Sequence, residues 1–311
     1  MSVAPAFPRL NVLQLKAILE GADAPLLVDV LPPEIFAQAH IPGAKNACVY
    51  EVVFADHMAG ITTDTTRKIV VYGAGAGSLD VLSAAEKLHH MGFANVLVFE
   101  GGAPEWHAAG YALEGSDPRP QPFETVFSCE EEARWTVEPQ KSRLEWWGRN
   151  ANSTHHGTVD IISGHLATRG GMLQGAVGLD MTSIRNLDLA GDELQPVLEG
   201  HLRSDDFFFT KVFPAAELVL DICTPLSPAS PTLPTFLLSG MLTLRGVRKA
   251  LEFPATVSLL GDGGLGLEAH FDLDRTKWGV LYGSTRFFKH LSYHLVFDLI
   301  SVQVRLTAQR E

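Results

Sequence analysis

Leu251-Glu252-Phe253-Pro254-Ala255-Thr256-Val257-Ser258-Leu259 carries an apolar side chain at every second position, and Leu265-Gly266-Leu267-Glu268-Ala269-His270-Phe271-Asp272-Leu273 repeats the pattern. Period two marks a strand with one apolar face. The turn between them, Gly261-Asp262-Gly263-Gly264, suits an antiparallel reversal. The same alternation runs through Val177, Leu179 and Met181, through Leu218, Leu220 and Ile222, and through Ile300, Val302, Val304 and Leu306. Seven or more such strands must stack as a sandwich or close into a barrel, and periodicity does not choose between the two. One helical interruption is expected near Leu198 to Phe209, with Phe207-Phe208-Phe209 read as a plug at one end.

Toward the N-terminus the pattern changes. Between Asn11 and Leu113 short apolar runs alternate with helical spacing, the order of an α/β parallel sheet covered by helices. Leu26 to Val30, Ala47 to Tyr50, Lys68 to Tyr72 and Asn95 to Phe99 are the expected strands, and Glu34 to Ala39 and Leu79 to Leu88 the clearest helices, the second with Ser78 or Asp80 as its N-cap. The proline-rich stretch from Gly115 to Pro122 interrupts every period. It sets a two-domain plan of 1–114, a linker over 115–130 that ends in the solvated acidic run Glu130 to Glu132, and 131–311.

The N-terminal segments Leu26-Leu27-Val28-Asp29-Val30, His40-Ile41-Pro42-Gly43-Ala44, Ile69-Val70-Val71-Tyr72 and Phe99-Glu100-Gly101-Gly102 with Trp106 jointly resemble the rhodanese family. The resemblance implies a loop after the central strand that begins with a persulfide-carrying cysteine. Here Gly73 holds that position, and Leu31 stands where an arginine usually follows the first strand. Sulfur transfer therefore has no nucleophile at the loop, and Cys48 is read as core on another strand. The backbone of Gly73, Ala74, Gly75, Ala76, Gly77 and Ser78 is left as a candidate anion-binding loop at a helix N-terminus. A dinucleotide fingerprint fails there, because Ser78 replaces its third glycine.

The C-terminal half is similar to the YceI family through Val137 to Trp146, His156-Gly157-Thr158-Val159, Asp180-Met181-Thr182-Ser183-Ile184, Leu198 to Phe208, Val212-Phe213-Pro214, Leu242 to Gly246 and Asp274 to Val280 with Tyr282-Gly283-Ser284. The resemblance implies an all-β, lipocalin-like antiparallel barrel that binds a long lipid in an apolar lumen. It departs at Ser292-Tyr293-His294, where the family often has a Gly-Asp-Lys turn, so the rim differs. Alternation makes Leu179, Met181, Leu220, Ile222, Leu244, Phe253, Val257, Leu267, Phe271, Val302 and Val304 the expected lumen face, with Trp146 and Trp278 near its ends.

Composition narrows the function. A net charge of -12 argues against nucleic acid and against anionic membrane surfaces as general partners. Three scattered cysteines, Cys48, Cys129 and Cys223, form neither a disulfide framework nor a zinc motif. The adjacent pairs His89-His90 and His155-His156 diverge on a helix or strand and make poor chelates, so no metal is expected. Asp274 and Arg275 read as a strand-end ion pair, while Glu145, Asp160 and Asp180 are not placed together. No cofactor is required. The N-terminus has no export signal, which points to the cytoplasm. The leading expectation is a non-enzymatic carrier of a polyprenyl or quinone-like lipid, with the N-terminal domain as a protein-docking or anion-sensing module and a homodimer implied by the resemblance. The alternatives are a sulfurtransferase or phosphoryl-transfer enzyme at loop 73–78, and a protein-interaction scaffold.

Overall fold

Four short apolar runs build the first sheet in a computed structural model that describes residues 7–120, 126–227 and 230–311. They are β1 (Leu26–Asp29), β2 (Lys45–Asn46), β3 (Ile69–Tyr72) and β4 (Val96–Phe99), paired in parallel in the order β2-β1-β3-β4. All four residues of β3 are fully buried, as a central parallel strand covered on both faces requires. Val28 and Val71 face one core with Leu88, whereas Leu27, Val70 and Tyr72 face another with Phe99 and Trp106. Five helices cover the sheet: α1 (Val12–Leu19), α2 (Pro33–Gln38), α3 (Phe54–Ile61), α4 (Asp80–His90) and α5 (Gly102–Ala108). Asn11 and Gln14 form a capping box that starts α1.

Nine further strands form the second unit. They are β5 (Ala133–Val137), β6 (Arg143–Arg149), β7 (Thr154–Arg169), β8 (Met172–Asn186), β9 (Ala215–Pro225), β10 (Phe236–Leu244), β11 (Val247–Leu259), β12 (Leu265–Asp274) and β13 (Leu299–Arg310). Successive strands from β7 to β13 pair antiparallel, and β5 and β6, split by a turn of 3-10 helix at Pro139–Lys141, both bridge β13 to β7. The two segments share one position, so the sheet closes as an eight-strand antiparallel barrel. Closure removes the exposed edges that an open sheet would present. Helix α6 (Gln195–Arg203) interrupts the strands between β8 and β9, earlier than the sequence placed it, and ends at Ser204.

One end of the barrel is solid. Trp135, Leu166, Leu173, Phe236, Leu238, Val257 and Leu265 fill it, and Trp135 Nε1–H donates to the Gly263 carbonyl at 3.1 Å. Phe127 packs edge-on against Trp135 and Phe236 here, with Cys129 buried beside them. The chain divides into Met1–Phe123 and Glu124–Glu311, and Ser116 and Asp117 still bond to Ala37 and Gln38 of the first unit. Pro122 lies outside the described residues, and Glu130 to Glu132 are exposed.

Two local expectations change. The second parallel strand is Lys45–Asn46; Ala47 and Val49 still donate to the carbonyls of Asp29 and Val30, but the chain turns at Val49 and Tyr50 and the strand does not extend over 47–50. Asn46 fixes that pairing by donating its side-chain amide to the carbonyls of Asp29 and Leu31. Leu79, with no side-chain cap, precedes α4, and Asp80 uses its carboxylate differently, as described below. The three cysteines are buried free thiols, and burial pushes Cys223 up to about 12.

Asp29, at the end of β1, is 1% exposed, and its Oδ2 has no hydrogen-bond partner among the described residues. Burial raises its carboxyl from 3.8 to about 6 against the opposing pull of the Leu31 N–H and the nearby Tyr72 hydroxyl. The folded state thus holds the proton more tightly than the unfolded chain does. Stability from this group is complete below about pH 4 and is lost as pH rises through about 6, a difference on the order of 3 kcal/mol. Asp29→Asn should therefore stabilise the first unit by about 2 kcal/mol above neutrality, with the gain vanishing near pH 4. Hydrogen exchange of the β3 amides across that range measures it; an equal effect at both ends would refute the assignment.

Candidate functional site

Above its solid end the barrel encloses a cavity of about 330 Å³. Each strand except β5 contributes apolar side chains to the wall, from Leu144 and Trp146 on β6 round to Ile300, Val302, Val304 and Leu306 on β13. From Ile300 to Leu306 the lining runs roughly 20 Å along one strand, at about 3.3 Å per residue. Phe253 and Phe271 stack within it at 4.4 Å between ring centres. Leu198 and Leu202 of α6, then Phe207 and Phe208, cover its upper part. An apolar wall of this kind holds a hydrocarbon by burial alone, at ~0.8 kcal/mol per methylene.

Polar lining is confined to strand ends, loops and α6 at the other end of the barrel: Arg149, Asn150, His155, His201, Arg275, Tyr282, Tyr293 and His294. Tyr282 Oη and His294 Nδ1 share a hydrogen bond of 2.7 Å, and the His201 ring stands edge-on to Tyr282 while bonding to Asp206 at 3.1 Å. His155 is held by Asp188 at 2.8 Å. Partial burial pushes Asp188 up, but the His156 N–H, the His155 ring and the Asn186 amide outweigh it and leave the carboxyl below its ordinary range. These groups offer donors and acceptors to a polar head while the tail lies among leucines and valines.

Arg275 fixes this rim. Its guanidinium is 1% exposed and donates to four carbonyls, those of Val280 (2.6 Å), Tyr282 (2.7 Å), Val296 (3.1 Å) and Phe297 (3.1 Å). The expected Asp274–Arg275 pair is not formed. Asp274 accepts instead from Thr276 and pairs with Arg286 at 3.0 Å, because neighbouring side chains at the strand end diverge.

Of the residues expected on the lumen face, Trp146, Leu179, Met181, Leu220, Leu244, Phe253, Leu267, Phe271, Val302 and Val304 line the cavity. Three are placed elsewhere. Ile222 is 53% exposed, because a bulge opposite Ser239 and Gly240 shifts β9 by one residue after Leu220 and turns Cys223 inward in its place. Gly240 permits this approach, since a Cβ there would meet the Val219 carbonyl oxygen. Val257 belongs to the packing of the solid end, and Trp278 sits behind the wall with its indole N–H on the Leu242 carbonyl at 3.0 Å. Phe208, expected as part of a plug, and Tyr293 and His294, expected only as a departure at the rim, also line the cavity; so do Leu242, His201 and Tyr282, which were not expected there, and the rim groups lie on loops and a helix, where no period-two signal exists.

The N-terminal loop is differently occupied. Gly73 follows β3, and the Asp80 carboxylate lies over it, accepting from the Ala74 N–H and the Val81 N–H, each at 2.7 Å. A Cβ at Gly73 would overlap that carboxylate. The chain's own anion thus takes up part of the loop from Gly73, Ala74, Gly75, Ala76 and Gly77 to Ser78, whose N–H bonds back to the Gly75 carbonyl. Among the described residues no group of three His, Cys, Asp or Glu side chains is arranged to hold a metal, and no helix is long and apolar enough to cross a membrane.

Comparison with known proteins matches residues 135–309 to the YceI-like domain and residues 11–109 to the Rhodanese-like domain. No curated protein matches significantly. Among solved structures, BcnA of Burkholderia cenocepacia is 18% identical, covering 56% of this chain and 99% of its own, with a TM-score of 0.43. A polyisoprenoid binding domain from Saccharophagus degradans implicated in plant cell wall breakdown is 16% identical, covering 58% and 100%, with a TM-score of 0.43. The Alr3790 protein from Anabaena sp. is 28% identical, covering 33% and 88%, with a TM-score of 0.29.

Replacing Arg275 by Met keeps volume but strands four buried carbonyls. The barrel should lose about 3 kcal/mol, and amides of residues 280–297 should exchange faster than the β7 and β8 amides do. Unchanged protection of that segment would show that the rim is held by other contacts.

Proposed function

Because the chain belongs to the YceI-like family, we propose that its barrel carries one long apolar molecule, of polyprenyl or quinone-like type, with its tail in the lumen and its polar end at the rim. The observation that carries the reading is the cavity itself: an apolar wall on all eight strand positions and the covering helix, with polar groups gathered at one end only. Ten methylenes buried there contribute on the order of 8 kcal/mol before the cost of ordering the chain, enough for selective retention without a charged contact.

For the N-terminal unit we propose a non-catalytic docking role. Gly73 offers no nucleophile, and a ligand anion at the loop would compete with the Asp80 carboxylate for the Ala74 N–H. Turnover of thiosulfate by the purified protein would overturn this and favour the sulfurtransferase alternative.

The carrier reading is tested by native mass spectrometry and organic extraction of the full chain, then by titration with the polyprenyl alcohol solanesol. One apolar molecule per chain, or stoichiometric solanesol uptake, is expected; a chain that neither retains lipid nor takes up solanesol sinks the reading. Two variants localise the site. Phe271→Glu buries an unpaired charge in the lumen and should abolish uptake, whereas Ile222→Glu, outside the barrel, should leave it within about twofold of the parent.

A further inference from the structure

The rim carries side chains that the cavity does not use. Between β12 and β13 the chain makes a long excursion that supplies Tyr282, Tyr293 and Phe297 to the cavity wall. The same excursion leaves Phe287 and Phe288 about half exposed, at 49% and 48%, and neither lines the cavity. On α6, Val197 is uncovered beside Leu198, which does line it. Two adjacent phenylalanines left half exposed on a segment that also lines the cavity mark a surface that is covered in use.

Charge says by what. The chain as a whole is strongly acidic, yet from Arg275 to Phe297 it contains Arg275, Lys277, Arg286 and Lys289 and not one Asp or Glu. Arg275 is buried and Arg286 is engaged by Asp274 and Asp298, while Lys289 and His290 stand exposed directly after the two phenylalanines. Two aromatic rings followed by the Lys289 ammonium match the headgroup zone of a bilayer, where rings sit at the apolar boundary and ammonium groups meet lipid phosphates. Unlike the chain at large, this excursion carries only positive charge, although Asp188 and Asp206 hold the histidines on the facing part of the rim.

We propose that the segment from Ser284 to Phe297 docks the barrel on a lipid bilayer with anionic headgroups, Phe287 and Phe288 entering the headgroup layer so that an apolar ligand passes into the lumen without crossing water. The proposal rests on the carrier reading, since it supplies the route by which such a ligand is loaded. It concerns a binding surface only, with no covalent step.

Flotation of the full chain with vesicles tests it, using phosphatidylcholine alone and three parts phosphatidylcholine to one of phosphatidylglycerol. The parent chain should float with the mixed vesicles and more weakly with phosphatidylcholine. F287S/F288S, altered only at exposed positions, should lower bound protein about tenfold, and K289E about fivefold on mixed vesicles alone. Solanesol presented in detergent separates the two readings, because F287S/F288S should still bind it. Loss of solanesol binding by the parent, with the flotation pattern intact, removes the carrier reading and leaves the docking surface. A parent chain that does not float, or variants that float equally, overturns the docking proposal whatever solanesol does. A dimer that F287S/F288S dissociates, without flotation, overturns it in favour of a second copy of the chain as the occupant.

Discussion

A single buried guanidinium holds the open end of the barrel in shape. Arg275 is satisfied by carbonyls from either limb of the excursion between β12 and β13, so a segment without a strand partner acquires a fixed path. A buried cation is costly unless every donor is matched, and backbone carbonyls match it without supplying a counter-charge that could leave. Asp298, at 3.9 Å, is the nearest carboxylate. Burial draws the guanidinium somewhat below its ordinary range, opposed by Asp298 and Asp274, and it stays charged throughout the range in which the protein folds. The rim geometry, and with it the positions of Tyr282 and His294, follows from this one side chain.

The two ends of the barrel solve opposite problems with the same alternating strands. At the solid end large residues, above all Trp135 and Phe236, meet across the interior and leave no room. Farther along, leucine, valine and a few aromatic side chains line the wall without filling the interior, and a cavity remains.

That distinction explains what the sequence revealed. Alternation through Leu251 to Leu273 is a direct record of one buried face, and the paired motifs at Asp274 to Val280 and Leu198 to Phe208 selected a barrel where periodicity left two choices. The face was legible, but its depth was not: Val257 and Phe253 obey the same period, yet one packs the solid end and the other lines the lumen. Ile222 was misplaced because a bulge changes phase with no change in composition, and only the pairing across to Gly240 exposes it. The rim was illegible for another reason. His201 comes from a helix and Tyr282 and His294 from one long excursion, and their meeting depends on long-range closure, which no local pattern encodes.

The Asp80 carboxylate over Gly73 gives the N-terminal unit a history that is hard to reverse. Any side chain introduced at position 73 must displace a buried carboxylate that already satisfies two backbone donors. A cysteine there would arrive in a site filled by negative charge, which raises the thiol's proton affinity and blocks its approach. The two positions are therefore coupled: the smaller residue at 73 and the acid at 80 must change together, and each single step passes through a less stable protein. Such a pair works as a steric lock, holding position 73 to the smallest side chain while the surface of the unit is free to vary.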